Sequence, residues 1–449
     1  MKWNVKKPAS MLVVLSMLML TLSACGGAGD KGTASDSGAS GGTSTAGSSE
    51  KKDEGSVKLK FYAQYSGPEK AVYDAAAAEM KKVMPEVSVD FEVSAQDDEQ
   101  KIKTYAAAGT LPDIFYASSG LIETLKKSDN LAMMDDVIKE NKLEEKLTES
   151  AKPMMWNKDG HSYAVPNVGQ WAALIFYNKD LFTQNNVKVP TNYDEFLAAV
   201  KAFNAKKITP LAVFAKEKWP AVQLLDLAVV GSEPGGLKKL DNGEGTFSDE
   251  AYAKGAQKLE ELTKAGLISK NAFNTTADDA SAQFSSGKAA MYMNGAWSMS
   301  NLDSLMGDKV GILYTPLSDA DKVDQVKWNL SGGGFNQGFA VSKNSKNKDV
   351  AVKYAALFSL EFAKQRVILL SDPNSILAEK VTPQKGLSSI QQQYADDSVN
   401  FKTMTTFAWG YENAKFKTAM EDNTQKLLAG QSAADFIKDM NKALETARK

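Results

Sequence analysis

The sequence predicts an α/β protein of two lobes, and three observations carry that prediction. Strand-like and helix-like periodicities alternate between residues 57 and 116. The same alternation resumes after residue 170. The chain beyond residue 56, in a total of 449 residues, is also too long for one small domain.

Val57, Leu59 and Phe61 alternate with Ser56, Lys58 and Lys60, the period of two of a half-buried strand. An Ala-rich stretch from Lys70 to Val83 carries Val72, Ala76 and Met80 at helical spacing, and Pro85 marks its end. Val87, Val89, Phe91 and Val93 give a second strand. A helix over about 97–108 stops at Gly109, and Pro112 to Tyr116 reads as a third strand. This order implies right-handed crossovers and a mostly parallel sheet. Further on, Ala172 to Asn178 is a strand, and Asn192 with Glu195 forms a capping box opening a helix to about Asn204. Helices follow over 248–264, with Gly266 at the stop, and over 277–286. Ala289 to Met293 and Phe335 to Val341 read as strands, Asp349 to Leu370 as a long helix. Tyr411 to Arg448 reads as helical with a break at Gly430.

The N-terminal segment reads differently. Lys2, Lys6 and Lys7 precede an apolar run from Met11 to Leu22, and Ser23-Ala24-Cys25 follows. That run is shorter than the roughly 20 residues of a permanent span, so residues 1–24 read as a secretory signal. Cys25 is the only cysteine, so it has no disulfide partner within the chain. The segment resembles the lipobox of bacterial lipoproteins, which implies that the Cys25 thiol carries a diacylglyceryl group. Gly, Ser, Thr and Ala then dominate to residue 56, a tether with a reach of about 30 Å. The match of residues 38–42 to a G-x-S-x-G nucleophile pattern lies in this low-complexity stretch, with no strand before it or helix after it.

Composition narrows the chemistry. A net charge of −2 provides no basic field for nucleic acid. His161 is the only histidine, which removes the usual zinc sites and makes any Ser-His-Asp triad depend on a turn residue. Gly287-Lys288 is followed by Ala, so there is no phosphate-cradling loop. No cofactor is expected.

Six stretches resemble the extracellular solute-binding proteins of ABC importers, in the carbohydrate-binding group that includes maltose-binding protein. They are GTLPDIFY at 109–116, YAVP at 163–166, FYNKDLF at 176–182, VPTNYDEF at 189–196, FSSGKAAMYMNGAW at 284–297 and GFAVSK at 338–343. They keep the family's order. The resemblance implies a periplasmic-binding-protein-like fold of type II, each lobe a mostly parallel sheet flanked by helices, joined by a hinge of about three crossings. It implies one lobe from 57–168 and 316–371, and another from 169–315 and 372–449.

A sugar offers an apolar C–H face and a rim of hydroxyls, so its site needs aromatic faces edged by polar groups. The chain has 7 Trp, 14 Tyr and 19 Phe. Tyr116 ends the third strand, where open α/β sheets bind ligands, and Ser118 and Ser119 follow it. By resemblance, Tyr116 lines the cleft, and Gln64 and Tyr65 after the first strand touch ligand. Trp171 occupies a position where maltose-binding proteins carry an acidic residue, which exchanges a carboxylate for a stacking face and argues against maltose. Trp297 is expected on the second lobe facing ligand, Trp219 in a polar loop bordering the cleft, and Trp409 before the last helices. Gly333 and Asn336, in the Gly-rich stretch after Trp328, would allow close approach to a ligand or hinge.

The expected function is capture of a sugar or oligosaccharide for delivery to the transmembrane subunits of an ABC importer. The protein would be a monomer held by its lipid at the extracellular face of the cytoplasmic membrane of a Gram-positive bacterium. It would be no enzyme. Other readings are the same fold holding iron, a polyamine or a phosphate ester, a lipid-anchored polysaccharide-active enzyme, or a sensory or adhesive protein.

Overall fold

The computed structural model describes residues 56–95, 99–149, 151–333 and 337–449. Cys25, the signal and the tether lie outside the described residues, as does Asn336.

The first lobe is built on a five-stranded sheet. Its strands are β1 (Val57–Ala63), β2 (Val87–Val93), β3 (Ile114–Ala117), β4 (Ala164–Pro166) and β11 (Gly338–Val341), in the order β2-β1-β3-β11-β4. The alternation read in the sequence survives at the start of β1, where Lys58 and Lys60 are exposed and Leu59 and Phe61 are buried. It ends at Tyr62 and Ala63, both buried, because β1 is an interior strand between β2 and β3. The helices Gly67–Val83 and Lys348–Leu370 pack their buried faces on this sheet, with Tyr73, Phe339 and Phe358 clustered around Phe61 and Phe362 packed on Tyr73 and Phe339.

The second lobe centres on β5 (Trp171–Asn178), whose residues are buried almost throughout. Around it run β6 (Thr209–Ala212), β7 (Ala289–Gly295), β8 (Val310–Leu313) and the short β10 (Gly332–Gly333), in a sheet of order β10-β5-β7-β6 with β8 also on β5. A two-stranded ribbon joins β9 (Asn329–Leu330) to β12 (Thr403–Met404). Helices Tyr193–Ala205, Glu250–Lys264, Ala414–Leu428 and Ala433–Ala447 complete the layers.

The α/β class and the two lobes match the expectation, but the strand directions correct it. Within the two main sheets only β1–β2, β1–β3 and β6–β7 pair in parallel, as does the separate β9–β12 ribbon. The partners of β5, namely β7, β8 and β10, are all antiparallel, as are both partners of β11. The parallel rule holds where a helix returns the chain to the same end of a sheet. Both β5 and β11 are instead the first strands the chain forms on passing from one lobe to the other.

The chain passes between the lobes three times, and the first and third crossings lie side by side. Residues 167–170 lead from β4 to β5, the second crossing lies between Gly333 and Gly338, and the third follows Leu370. Gly169 N donates to Asn374 O at 3.1 Å, joining the first and third, and Ala173 N donates to Ser331 O at 2.8 Å. Gly332 has φ +145°, and a Cβ there would lie 2.3 Å from the Trp171 carbonyl oxygen, so only glycine fits this approach. The return at residue 316 expected from the resemblance differs from the packing: Leu317 and Leu330 sit in the core of the second lobe, while Ile376 and Leu377 sit in that of the first. Among the described residues no helix is long and apolar enough to cross a membrane.

Candidate ligand-binding site

Four tryptophans from distant parts of the second lobe converge at the lobe interface. Trp171 opens β5 and is placed by the pairing of its backbone with Gly333. Trp297 follows β7 and folds back over Gly295, where a Cβ would fall 1.9 Å from an indole carbon. Trp409 lies in the turn Ala408–Gly410. Trp219 opens the helix Trp219–Val229, with its Nε1 donating to Glu217 Oε2 at 3.0 Å. Ring centroids are 4.5 Å apart for Trp171 and Trp297, 5.7 Å for Trp171 and Trp409, and 4.3 Å for Trp219 and Trp409. Most of these contacts are steeply inclined, so the rings form the walls of a box rather than a stack.

The first lobe closes the box with Tyr116 and Gln64. The Tyr116 hydroxyl donates to Gln337 Oε1 at 2.7 Å. Burial, with Glu99 nearby, pushes its pKa well above the ordinary value, so it stays a neutral hydrogen-bonding group. Two adjoining cavities result, of about 200 and 130 Å3, and both are lined by Gln64, Tyr116 and Trp409. The larger adds Trp171 and Trp297 with Glu69, Asn167, Arg366 and Asp372; the smaller adds Trp219, Glu99, Glu217 and Ser118. A separate opening of about 700 Å3 is lined by Ser119, Trp156, Lys158, Lys238 and Glu412 among others.

Six of the residues singled out in the sequence therefore share one site: Gln64, Tyr116, Trp171, Trp219, Trp297 and Trp409. Four do not. Tyr65 stacks on Phe91 at 4.6 Å and donates to Asp74, away from both cavities. Its ring follows Phe91 on the edge strand instead of the sheet's end. Ser119 lines the large opening, and its hydroxyl donates to the Trp409 carbonyl at 3.4 Å, a lobe-to-lobe contact. Gly333 acts through backbone pairing alone, and Asn336 is outside the described residues. Trp219 reaches the site from a helix rather than the polar loop expected. All eleven residues of that helix are buried, and Pro220 at its start was the signal for it.

Sequence reasoning missed the polar end of the larger cavity. Arg366 Nε donates to Asp372 Oδ2 at 2.7 Å, and its Nη1 pairs with Glu69. Burial disfavours the Arg366 charge, but Glu69 and Asp372 outweigh it and hold its pKa above the ordinary value. One signal was available: Arg366 is one of only two arginines in a lysine-rich chain. A second buried group supports the site from behind. Asp226, wholly inaccessible, accepts from Ser331 Oγ at 2.6 Å, Thr405 Oγ1 at 2.5 Å and Leu237 N at 2.8 Å. Burial raises its pKa and those three donors hold it back. It thereby ties the helix that carries Trp219 to the approaches of the second crossing and of Trp409.

Residues 65–361 match the model of the bacterial extracellular solute-binding protein family. The chain belongs to that family. Among relatives of this solute-binding protein, an uncharacterized ABC transporter extracellular-binding protein of Pyrococcus horikoshii is 27% identical over 58% of this chain. A multiple sugar-binding protein of Streptococcus mutans is 32% identical over 30% of it. The aligned stretches span 60% and 34% of those relatives' lengths. A structure from work on xylan utilization by Caldanaerobius polysaccharolyticus superimposes with a TM-score of 0.75 at 25% identity, covering 86% of this chain and 99% of that one. A chitin oligosaccharide binding protein gives 0.74 at 22% identity, covering 87% and 99%.

Proposed function

We propose that this solute-binding protein captures a sugar or short oligosaccharide between its lobes and delivers it, unaltered, to the membrane subunits of an ABC importer. The observation that carries this reading is the box of four indoles facing Tyr116 and a polar rim across the lobe interface. Indole faces match the C–H faces of pyranose rings, and the surrounding carboxylates, amides and backbone groups match hydroxyls. Membership of the family and its similarity to a multiple sugar-binding protein and a chitin oligosaccharide binding protein support the same class of ligand. The lobes close by population shift, driven only by the ligand's better fit to the closed form; such hinge closure is known for periplasmic binding proteins. The sequence around Cys25 supports attachment by lipid at the outer face of the membrane, with residues 26–56 as tether. Replacing Cys25 with Ser is expected to release the protein into the medium.

The test is a thermal-shift screen with xylotriose, chitotriose, raffinose, spermidine and ferric citrate, followed by mass spectrometry of the recovered ligand. A neutral oligosaccharide that raises the melting temperature and is recovered intact is the expected result. Stabilisation by spermidine or iron alone, or recovery of a cleaved sugar, would overturn the reading.

A further inference from the structure

The polar end of the larger cavity is short of donors and rich in acceptors. Arg366 supplies one positive charge, while Glu69 and Asp372 supply two negative ones, leaving the trio with a net charge of about −1 when the carboxylates are ionised. Three of the guanidinium contacts are spent on those carboxylates. Glu69 Oε2 is buried without a hydrogen-bond partner among the described residues, and so is Asn167 Oδ1. Asn167 is only 2% exposed and sits at the first crossing, lining the same cavity. Buried acceptors left unmet cost about 1–3 kcal/mol each, so native structures seldom keep them without a purpose. A ligand that donates hydrogen bonds would meet them; one that brings a carboxylate would meet an excess of negative charge beside a largely buried guanidinium already paired twice. The cavity, of about 200 Å3, has room for a sugar ring against Trp171 and Trp297.

We infer that this cavity is a charge-selective subsite that takes one uncharged sugar unit through its hydroxyl donors and rejects a uronic acid unit, with Glu69 as the specificity-determining residue. The inference rests on the sugar-binding reading above and adds to it the class of unit accepted. Glu69 does no chemistry. It accepts from the ligand with Oε2 while its other oxygen holds Arg366 in place.

The experiment uses the full-length protein and calorimetric titration of chitotriose and raffinose. Each is compared with counterparts carrying a C6 carboxylate on one terminal unit or the other. Wild type is expected to lose at least tenfold in affinity when the end lying in this cavity is oxidised. Glu69→Gln is expected to reduce that penalty to threefold or less. Should that variant not fold, Asn167→Ala provides the second arm: affinity for the neutral sugar falls at least fivefold while the penalty for oxidation persists. If neither oxidation lowers affinity, or Glu69→Gln leaves the penalty unchanged, the subsite is not charge-selective although the protein still binds sugar. If no neutral sugar binds at all, the proposed function itself fails and this inference with it.

Discussion

Trp297 is held by contact with its own backbone two residues back. Because its indole occupies the space beside Gly295, a methyl group there must displace the ring. Gly295→Ala is therefore expected to mimic Trp297→Ala, each weakening sugar binding tenfold or more, equivalent to about 1.4 kcal/mol. An unchanged titration for either variant would take Trp297 out of the site. The indoles were legible in the sequence because Trp in loops and at the ends of elements has few structural reasons to be there. Glu69, Asn167 and Arg366 were not. Each sits in a helix or turn where a charged or amide residue is ordinary, and only the fold brings them together. His161 yields a second prediction. Its Nδ1 lies 2.7 Å from Asp135 Oδ2, and that hydrogen bond raises its pKa above 6.5. As the only histidine, it gives a single imidazole titration by NMR, with a midpoint above 6.5 that Asp135→Asn returns toward 6.5. The pair stabilises the fold fully below the unfolded value, and its contribution is lost as pH rises through the folded one.

Among the elements, the helix Trp219–Val229 shows how burial and function combine. Asp226 is its one buried carboxylate, and it meets donors from Leu237, Ser331 and Thr405, three segments far apart in the chain. Asp226→Ala would strand all three, at about 1–3 kcal/mol for each donor left buried. A loss of about 3 kcal/mol or more in urea denaturation is expected; a loss below about 1 kcal/mol would show that water replaces the carboxylate. Strands β1 and β2 were readable from alternation because each exposes part of one face. Strands β6 and β8 were missed, being four residues long and mostly or wholly buried, too short to show any period. Strand direction was misjudged for the same reason that the crossings were hard to place. A local pattern identifies a strand but not the end of the sheet from which it enters.

At the scale of the molecule, the two lobes touch across the cleft. Lys158 Nζ lies 2.9 Å from Glu412 Oε2, and Ser119 reaches the Trp409 carbonyl. The lysine is mostly exposed, so this ion pair is worth about 0–1 kcal/mol, and Lys158→Ala should change ligand affinity by less than about fivefold. A larger effect would mean that the pair, rather than the ring box, governs closure. The two-lobe plan was legible from length and from the repeated strand–helix grammar. The interface between the lobes was not, because it is assembled from Gln64, Tyr116, Trp171, Trp219, Trp297 and Trp409, spread over most of the chain.

A crystal structure of the protein with the tightest-binding neutral oligosaccharide is the most direct measurement of the central claim. It should show an intact sugar with one ring against Trp171 and Trp297 and its hydroxyls on Glu69 and Asn167. A sugar bound elsewhere on the surface, or hydrolysed in the cleft, would contradict the account.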